Sequence, residues 1–362
     1  MPTLLCCKGI PGGDRPLAAC EARWCAADVA ERNIIVVGAS AGGVEALMQL
    51  CAGLPGDLAA AMFVVQHLSP DSESALPKLL NRAGGMPAAS AVDGEAVRLG
   101  HIYVAPPDRH LLLRSERILL SRGPQENRTR PAIDALFRSA AVAYGSRVVG
   151  VVLTGLLDDG TEGLIAIKKA GGTSVVQDPA DASWPSMPAN ALLRDHVDHC
   201  LPLAELPALL TTLSQETAGP NLKLPPEIIV EDQIAAREFA VMKKELSPPG
   251  HPSPLSCPQC GGVLNEIAEQ DGIRFRCQIG HAFTSLGLEA AQNDEIERAL
   301  AIAVRTHRDR LHLFLRMEAG ARERGLVHAA ARWERAAVES RRLAGVLENA
   351  MEALRKSLPP AA

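Results

Sequence analysis

The sequence predicts a doubly wound α/β domain with a mainly parallel sheet, followed by a small Cys/His module and a C-terminal helical hairpin. Three observations carry that expectation. Between 33 and 217, short runs such as NIIVVG, MFVVQH and RVVGVVLTG are apolar at every position and alternate with helix-like stretches. Such strands bury both faces, as parallel strands do when helices cover the sheet on two sides. Cys257, Cys260, Cys277 and His281 then fall close together, and from about 285 onward apolar residues recur at helical spacing.

Each element can be read in order. Residues 1–32, which include Cys6, Cys7, Cys20 and Cys25, show no periodicity and read as a flexible leader with reduced thiols. NIIVVG breaks into Gly-Ala-Ser-Ala-Gly-Gly before the helix-like VEALMQLCAGL, and MFVVQH precedes a helix around SESALPKLLNR. HIYVAPP and LLLRSERILL suggest further short strands. PAIDALFRSAAVAYG carries helical spacing with Pro131 near its start. RVVGVVLTG is a buried strand, TEGLIAIKKAGG a helix closing on glycines, and TSVVQ another strand. Residues 218–256, with prolines at 220, 225, 226, 248, 249, 252 and 254, read as a linker holding at most one short helix. The unit 257–284 is compact and zinc-ribbon-like, and 285–357 suggests two antiparallel helices.

Composition narrows the function classes. Of 362 residues, 47% are hydrophobic and 22% charged, an ordinary globular balance. The net charge of -5 argues against a chain-wide nucleic-acid footprint. No apolar run is long enough to span a bilayer, and the N-terminus lacks a secretory pattern, so no membrane insertion and a cytoplasmic location are expected. Nine scattered cysteines do not suggest a disulfide framework.

Ser40 lies in Gly38-Ala39-Ser40-Ala41-Gly42, between a strand and a helix, where small residues allow a tight turn that exposes the hydroxyl. Taken alone, this turn fits a nucleophile, a phosphate cradle or a plain structural turn; the dinucleotide pattern would want glycine at position 40. His67 and Asp159 change the balance. Each follows a separate apolar strand, and in an open parallel sheet those carboxyl edges converge on one crevice. A serine, a base to take its proton and an acid to hold the base are what nucleophilic catalysis requires.

Six blocks occur in order: IIVVGASAGGVEAL, VVQHLSPDSESALPKLL, GHIYVAPPDRHLLL, RPAIDALFRSAA, VVLTGLLDDGTEGL and QDPADASWPSMPANAL. Together they resemble the catalytic domain of the chemotaxis protein-glutamate methylesterase family (CheB) over about 33–200. The resemblance implies hydrolysis of glutamate γ-methyl esters on chemoreceptor cytoplasmic helices, or on a related methylated signalling protein, with glutamine deamidation as a further activity. It implies Ser40 as nucleophile, His67 as base and Asp159, rather than Asp158, as the acid. It also implies no cofactor for catalysis, and an oxyanion hole formed by backbone amides at Ala41 and Leu156. Two departures stand out. Ala41 replaces the usual Thr, and Leu156-Leu157 replaces Met-Gly in the Thr154-Gly155 loop.

Cys257-Pro-Gln-Cys260 and Cys277-Gln-Ile-Gly-His281 offer four soft ligands at a spacing suited to a closed, structural zinc site. This unit resembles zinc-ribbon-like tails of members lacking the family's phosphoacceptor receiver domain. Only about 32 residues precede the first strand, so no receiver domain in cis is expected. If zinc is structural, chelation should loosen 257–284 and leave the Ser40 site competent. Two other function classes compete with the esterase: a weak or inactive esterase-like platform that docks partners through its tail, and a nucleotide site at the Gly38–Gly43 turn, which leaves His67 and Asp159 unexplained.

Overall fold

The structure, a computed structural model, describes residues 31–69, 74–194, 196–237, 249–269 and 272–357. The expected leader with its four cysteines lies almost wholly outside these residues, as does 238–248 of the expected linker.

The first domain follows the order β1 (Ile34–Ala39), α1 (Gly43–Gly53), β2 (Ala61–Gln66), α2 (Leu76–Ala83), β3 (Ala88–Ser90) and β4 (Ile102–Val104). A hairpin of β5 (His110–Arg114) and β6 (Arg117–Ser121) leads to α3 (Ile133–Tyr144) and β7 (Val148–Val152). Then come α4 (Thr161–Lys169), β8 (Thr173–Gln177), α5 (Ser186–Arg194), β9 (His199–Leu201) and α6 (Leu206–Ser214). Seven strands form one sheet in the order β3-β4-β2-β1-β7-β8-β9, every pair parallel. The LLLRSERILL stretch stands apart from it as the antiparallel β5–β6 hairpin, turning at Glu116 with φ 67°.

Strand alternation builds two cores. In β1, Ile34 and Val36 face one side, where they meet Leu136 and Phe137 of α3, Leu164 of α4 and Met187 of α5. Ile35 and Val37 face the other, against Leu47 and Leu50 of α1, Leu80 of α2 and Leu210 of α6. Both sets are fully buried, which is why the strands read as continuous apolar runs.

The stretch expected as linker departs from that reading. Pro226–Ala236 forms α7, with Pro226 at its start, and it packs on α3 and on the β5–β6 hairpin. Ile228, Ile234 and Ala235 are buried there, and so is the carboxylate of Glu231. Proline count pointed to a flexible spacer, but prolines at a helix start cost nothing.

A four-stranded antiparallel sheet follows, β10 (His251–Ser256), β11 (Val263–Glu269), β12 (Gly272–Cys277) and β13 (Ala282–Thr284). It leads directly into α8 (Ser285–Glu323) and α9 (Val327–Ser357), which pack against each other. Their seam is built from small residues. Ala330, Ala337 and Ala344 of α9 recur every seven positions and are buried, as are Val304 and Ala321 of α8. Small side chains let two helices approach closely. The larger Ile296 and Leu315, part of the helical pattern in the sequence, remain exposed. Among the described residues no helix is long and apolar enough to cross a membrane.

Candidate active site

The strand order reverses around β1, with β2 on one side and β7 on the other. Ligands bind at the carboxyl ends of the strands at such a switch point. Ser40 follows β1, His67 follows β2, and Asp159 lies in the loop after β7. These three adjacent strands bring the three side chains into one chain of contacts. Ser40 Oγ lies 3.1 Å from His67 Nδ1, and His67 Nε2 lies 2.8 Å from Asp159 Oδ2. A carboxylate can only accept, so Nε2 carries the proton and Nδ1 presents its lone pair to the serine hydroxyl.

Asp159 is held from several directions. Its Oδ2 also accepts the Ile133 N–H at 2.8 Å, and its Oδ1 accepts the Asp134 N–H at 3.1 Å and Asn127 Nδ2–H at 3.1 Å. The first two donors form the N-terminus of α3, whose dipole favours a negative charge. Burial would raise this carboxyl. The His67 hydrogen bond and charge, together with the two amides, outweigh burial and hold it below the usual carboxylate range. Asp134, which accepts the Gly160 and Gly163 amides at 2.9 and 2.8 Å, is pushed well up by burial and then by Asp159's charge. The negative charge of the pair therefore resides on Asp159, the member facing His67.

The nucleophile turn is pinned by its neighbours. Gln66 Nε2 donates to the Ser40 carbonyl at 2.7 Å, and the Gly43 amide donates to the same oxygen at 2.9 Å. Gly42 caps α1 with φ 69°, a left-handed conformation that glycine adopts freely. Across the crevice, a Cβ at Gly155 would come within 2.9 Å of Ser40 Cβ, so glycine permits the two loops to meet. The amides of Ser40 and Gly155 are committed to Thr154 O and Trp184 O, both at 3.0 Å. Of the two positions expected to supply oxyanion donors, Leu156 lines the crevice beside Ser40, and Ala41 directly follows the serine.

Leu157 has φ 62°, a conformation costing a branched side chain about 1–2 kcal/mol. Its carbonyl, accepting from Asn190 Nδ2 at 2.8 Å, helps hold it there. Leu157→Gly removes that strain but adds roughly 0.5–1 kcal/mol of unfolded-chain entropy. The thermal midpoint should therefore rise by a few degrees at most; a clear fall would show that the leucine side chain outweighs its backbone strain.

The C-terminal module forms part of the site. A crevice of about 810 Å³ is lined by Ser40, His67 and Leu156 on one side and by Gln259, His281 and Asp294 on another. Arg128 pairs with Asp294 across it. Behind this wall lies a buried ion network. Arg276 of β12, fully enclosed, reaches Glu126 at 3.2 Å and Glu231 of α7 at 3.3 Å. Arg138 of α3 binds both oxygens of Glu126 at 2.7 and 2.8 Å, and Arg274 of β12 binds both of Glu231 at 3.0 Å.

Cys257, Cys260, Cys277 and His281 place their donor atoms within 4.8 Å of one another. Cys257 Sγ and Cys277 Sγ each lie 3.6 Å from His281 Nδ1, and Cys260 Sγ lies 3.7 Å from Cys277 Sγ. Metal–sulfur bonds of about 2.3 Å give a tetrahedron edges of roughly 3.5–3.8 Å, so this donor set fits one metal ion.

The profile described as CheB methylesterase matches residues 35–210. A putative protein-glutamate methylesterase/protein-glutamine glutaminase of Leptospira interrogans is 36% identical over 182 residues, which cover 50% of this chain and 94% of that one. The chain belongs to the CheB methylesterase family. Protein-glutamate methylesterase/protein-glutamine glutaminase 2 of Rhizobium johnstonii is 38% identical over 177 residues, covering 48% of each chain. The chain thus spans about half the length of that curated relative. The solved catalytic domain of the Thermotoga maritima CheB methylesterase is 32% identical, with a TM-score of 0.48, over 50% of this chain and 98% of that one.

The family match ends at 210, and so it excludes the module that lines the crevice. Residue patterns also gave no sign of Asn127 or Thr284. Thr284 meets Asn127 and Asp158 from more than 100 residues away, and Asn127 meets Asp159 from 32 residues away, which no local spacing records.

Proposed function

We propose that the chain is a protein-glutamate methylesterase, hydrolysing glutamate γ-methyl esters on chemoreceptor-type proteins. The observation that carries this reading is the continuous Ser40–His67–Asp159 hydrogen-bond chain inside a CheB-family sequence. His67 Nδ1 takes the Ser40 proton as the oxygen attacks the ester carbonyl. Amides at Ala41 and Leu156 stabilise the oxyanion. The His67 imidazolium, held by charged Asp159, returns the proton to methoxide, and methanol leaves. Water then repeats the sequence on the acyl-enzyme, regenerating Ser40 and leaving a glutamate carboxylate. An amide passes through the same steps with ammonia leaving, so glutamine deamidation falls to the same residues. Methanol release from carboxyl-methylated receptor fragments tests this reading; no release by the wild-type protein would overturn it. Receptor helices on the cytoplasmic side are the partners this reading requires, and they put the enzyme in the cytoplasm.

For the rest of the chain the reading is a catalytic domain at 33–217, a module at 257–284 holding structural zinc, and a hairpin at 285–357. Zinc is the metal that three thiolates and an imidazole in a closed set favour. We propose also that control reaches the site through this module, which walls the crevice. Shared hydrogen bonds alter one expectation. The Asn127 amide donates to Ala282 O at 2.9 Å, and Asn127 Oδ1 accepts the Thr284 amide at 3.1 Å. Chelation should therefore expose 257–284 to amide exchange and lower esterase activity as well. Metal-free protein as purified would refute the zinc, and undiminished activity after chelation would separate module from site.

A further inference from the structure

Asn127 sits between α3, the catalytic loop and β13, and it is nearly inaccessible to solvent. Its Nδ2 donates to Asp134 Oδ2 at 2.8 Å and to Asp159 Oδ1 at 3.1 Å. Its Oδ1 accepts the Thr284 amide at 3.1 Å. Both donor positions and the acceptor are thus engaged. Turning the amide over would set its oxygen against two carboxyl groups and its NH2 against an N–H, so only one orientation is chemically allowed.

We infer that Asn127 is a positioning residue for the catalytic acid, and that the C-terminal module holds it in register through the Thr284 amide. The inference rests on the reading of Ser40, His67 and Asp159 as a triad. It adds that the residue bracing this triad is itself held from outside the family's matched region, by Thr284.

The physical reason lies in the two carboxyl groups. Asp159 Oδ2 is engaged by His67 and the Ile133 amide, while Oδ1 depends on the Asp134 amide and Asn127. Asn127 is the only side chain holding Oδ1 among the described residues. Without its donor, the charged Asp159 Oδ1 keeps only the Asp134 amide, and the carboxylate's hold on the His67 tautomer weakens. Asn127 has φ 47°, a left-handed conformation that Asn and Asp tolerate better than other non-glycine residues. Thr284 contributes twice. Its hydroxyl donates to Asp158 Oδ1 at 2.8 Å and accepts the Gly287 amide at 2.9 Å, capping α8. One residue of the module thereby touches both flanks of the catalytic acid.

Asn127→Asp tests this directly, because it keeps the shape and the backbone preference and replaces the donor by a carboxyl. The ionisable groups facing that position are Asp134 and Asp159, with His67 beyond Asp159 and Asp158 beyond Thr284. Of the cations around it, Arg138, whose charge reaches Asp134, is engaged by Glu126, and Arg128, next to Asn127 in the chain, pairs with Asp294. At low pH the new carboxyl is protonated and can still donate to Asp159. As pH rises it ionises between two acids and repels them. The expected result is a kcat ratio of variant to wild type that falls as pH rises, with KM within about twofold. Asn127→Ala, which adds no charge, covers the case in which the extra carboxyl prevents folding. It should lower kcat about 10- to 100-fold with KM little changed. Wild-type kcat in both variants, or a loss in Asn127→Asp that does not vary with pH, would overturn the inference. Ser40→Ala assayed alongside separates the two readings: activity retained there sinks the triad itself, whereas activity lost there and retained in both Asn127 variants sinks only the role of Asn127.

Discussion

Ser40→Ala should lower methanol release from methylated receptor fragments by about 10⁴-fold or more, leaving the fold in place. The size follows from the chemistry. Removing the nucleophile leaves His67 and Asp159 with no serine hydroxyl to activate, and only oxyanion binding remains. The fold should tolerate the change because Ser40 is half-buried and its hydroxyl makes a single contact, with His67. Losing one such hydrogen bond costs about 0.5–1.5 kcal/mol. The turn itself is fixed by the Gln66 side chain and the Gly43 N–H, both donating to the Ser40 carbonyl, which the substitution leaves intact. Activity and thermal unfolding measured on the same preparation decide the matter. Near wild-type turnover would remove Ser40 from the mechanism, and a collapsed unfolding transition would make the lost activity uninformative.

The largest expected effect on stability is at Arg276. Its guanidinium is wholly enclosed and faces two buried carboxylates and the Gly280 carbonyl at 2.8 Å. Arg276→Met keeps much of the volume but leaves Glu126 and Glu231 sharing fewer cations. Breaking a buried pair from one side costs about 3–5 kcal/mol, because the remaining charge stays desolvated. Denaturant unfolding should show that loss, with amide exchange rising first in β12 and α7. A change below about 1 kcal/mol would mean that Arg138 and Arg274 suffice. The network also sets an acid limit. Burial would raise Glu231, but Arg274, Arg276 and Arg138 outweigh it and hold the carboxyl far below its ordinary value of 4.5. A depressed carboxyl stabilises the fold above its unfolded value and loses that contribution as pH falls through its folded one.

Much of the first domain was legible because β1, β2 and β7 are apolar on both faces, which leaves little choice but a covered parallel sheet. The placement of Ser40, His67 and Asp159 followed from the same rule, since each ends or follows one of those strands. What escaped depends on distant segments. The prolines of 218–256 gave no hint that Glu231 would be buried, because its cations come from β12 and α3. Nor could helical spacing distinguish Ile296, which stays exposed, from the alanines of α9, which form the seam. Apolar periodicity marks a face without saying how closely the partner helix approaches. Asn127 was invisible for a related reason: a single polar residue in a loop means little until two acids and an amide are seen around it.

The 39 residues of α8 start directly after their cap, Thr284, and extend roughly 58 Å at 1.5 Å per residue. The alanine seam with α9 makes that length a stiff paired rod. Its fulcrum is the threonine that caps the first turn and also grips the residue beside the catalytic acid. A push at the far tip, near Gly325, has a long lever arm over a joint a few ångströms from the chemistry.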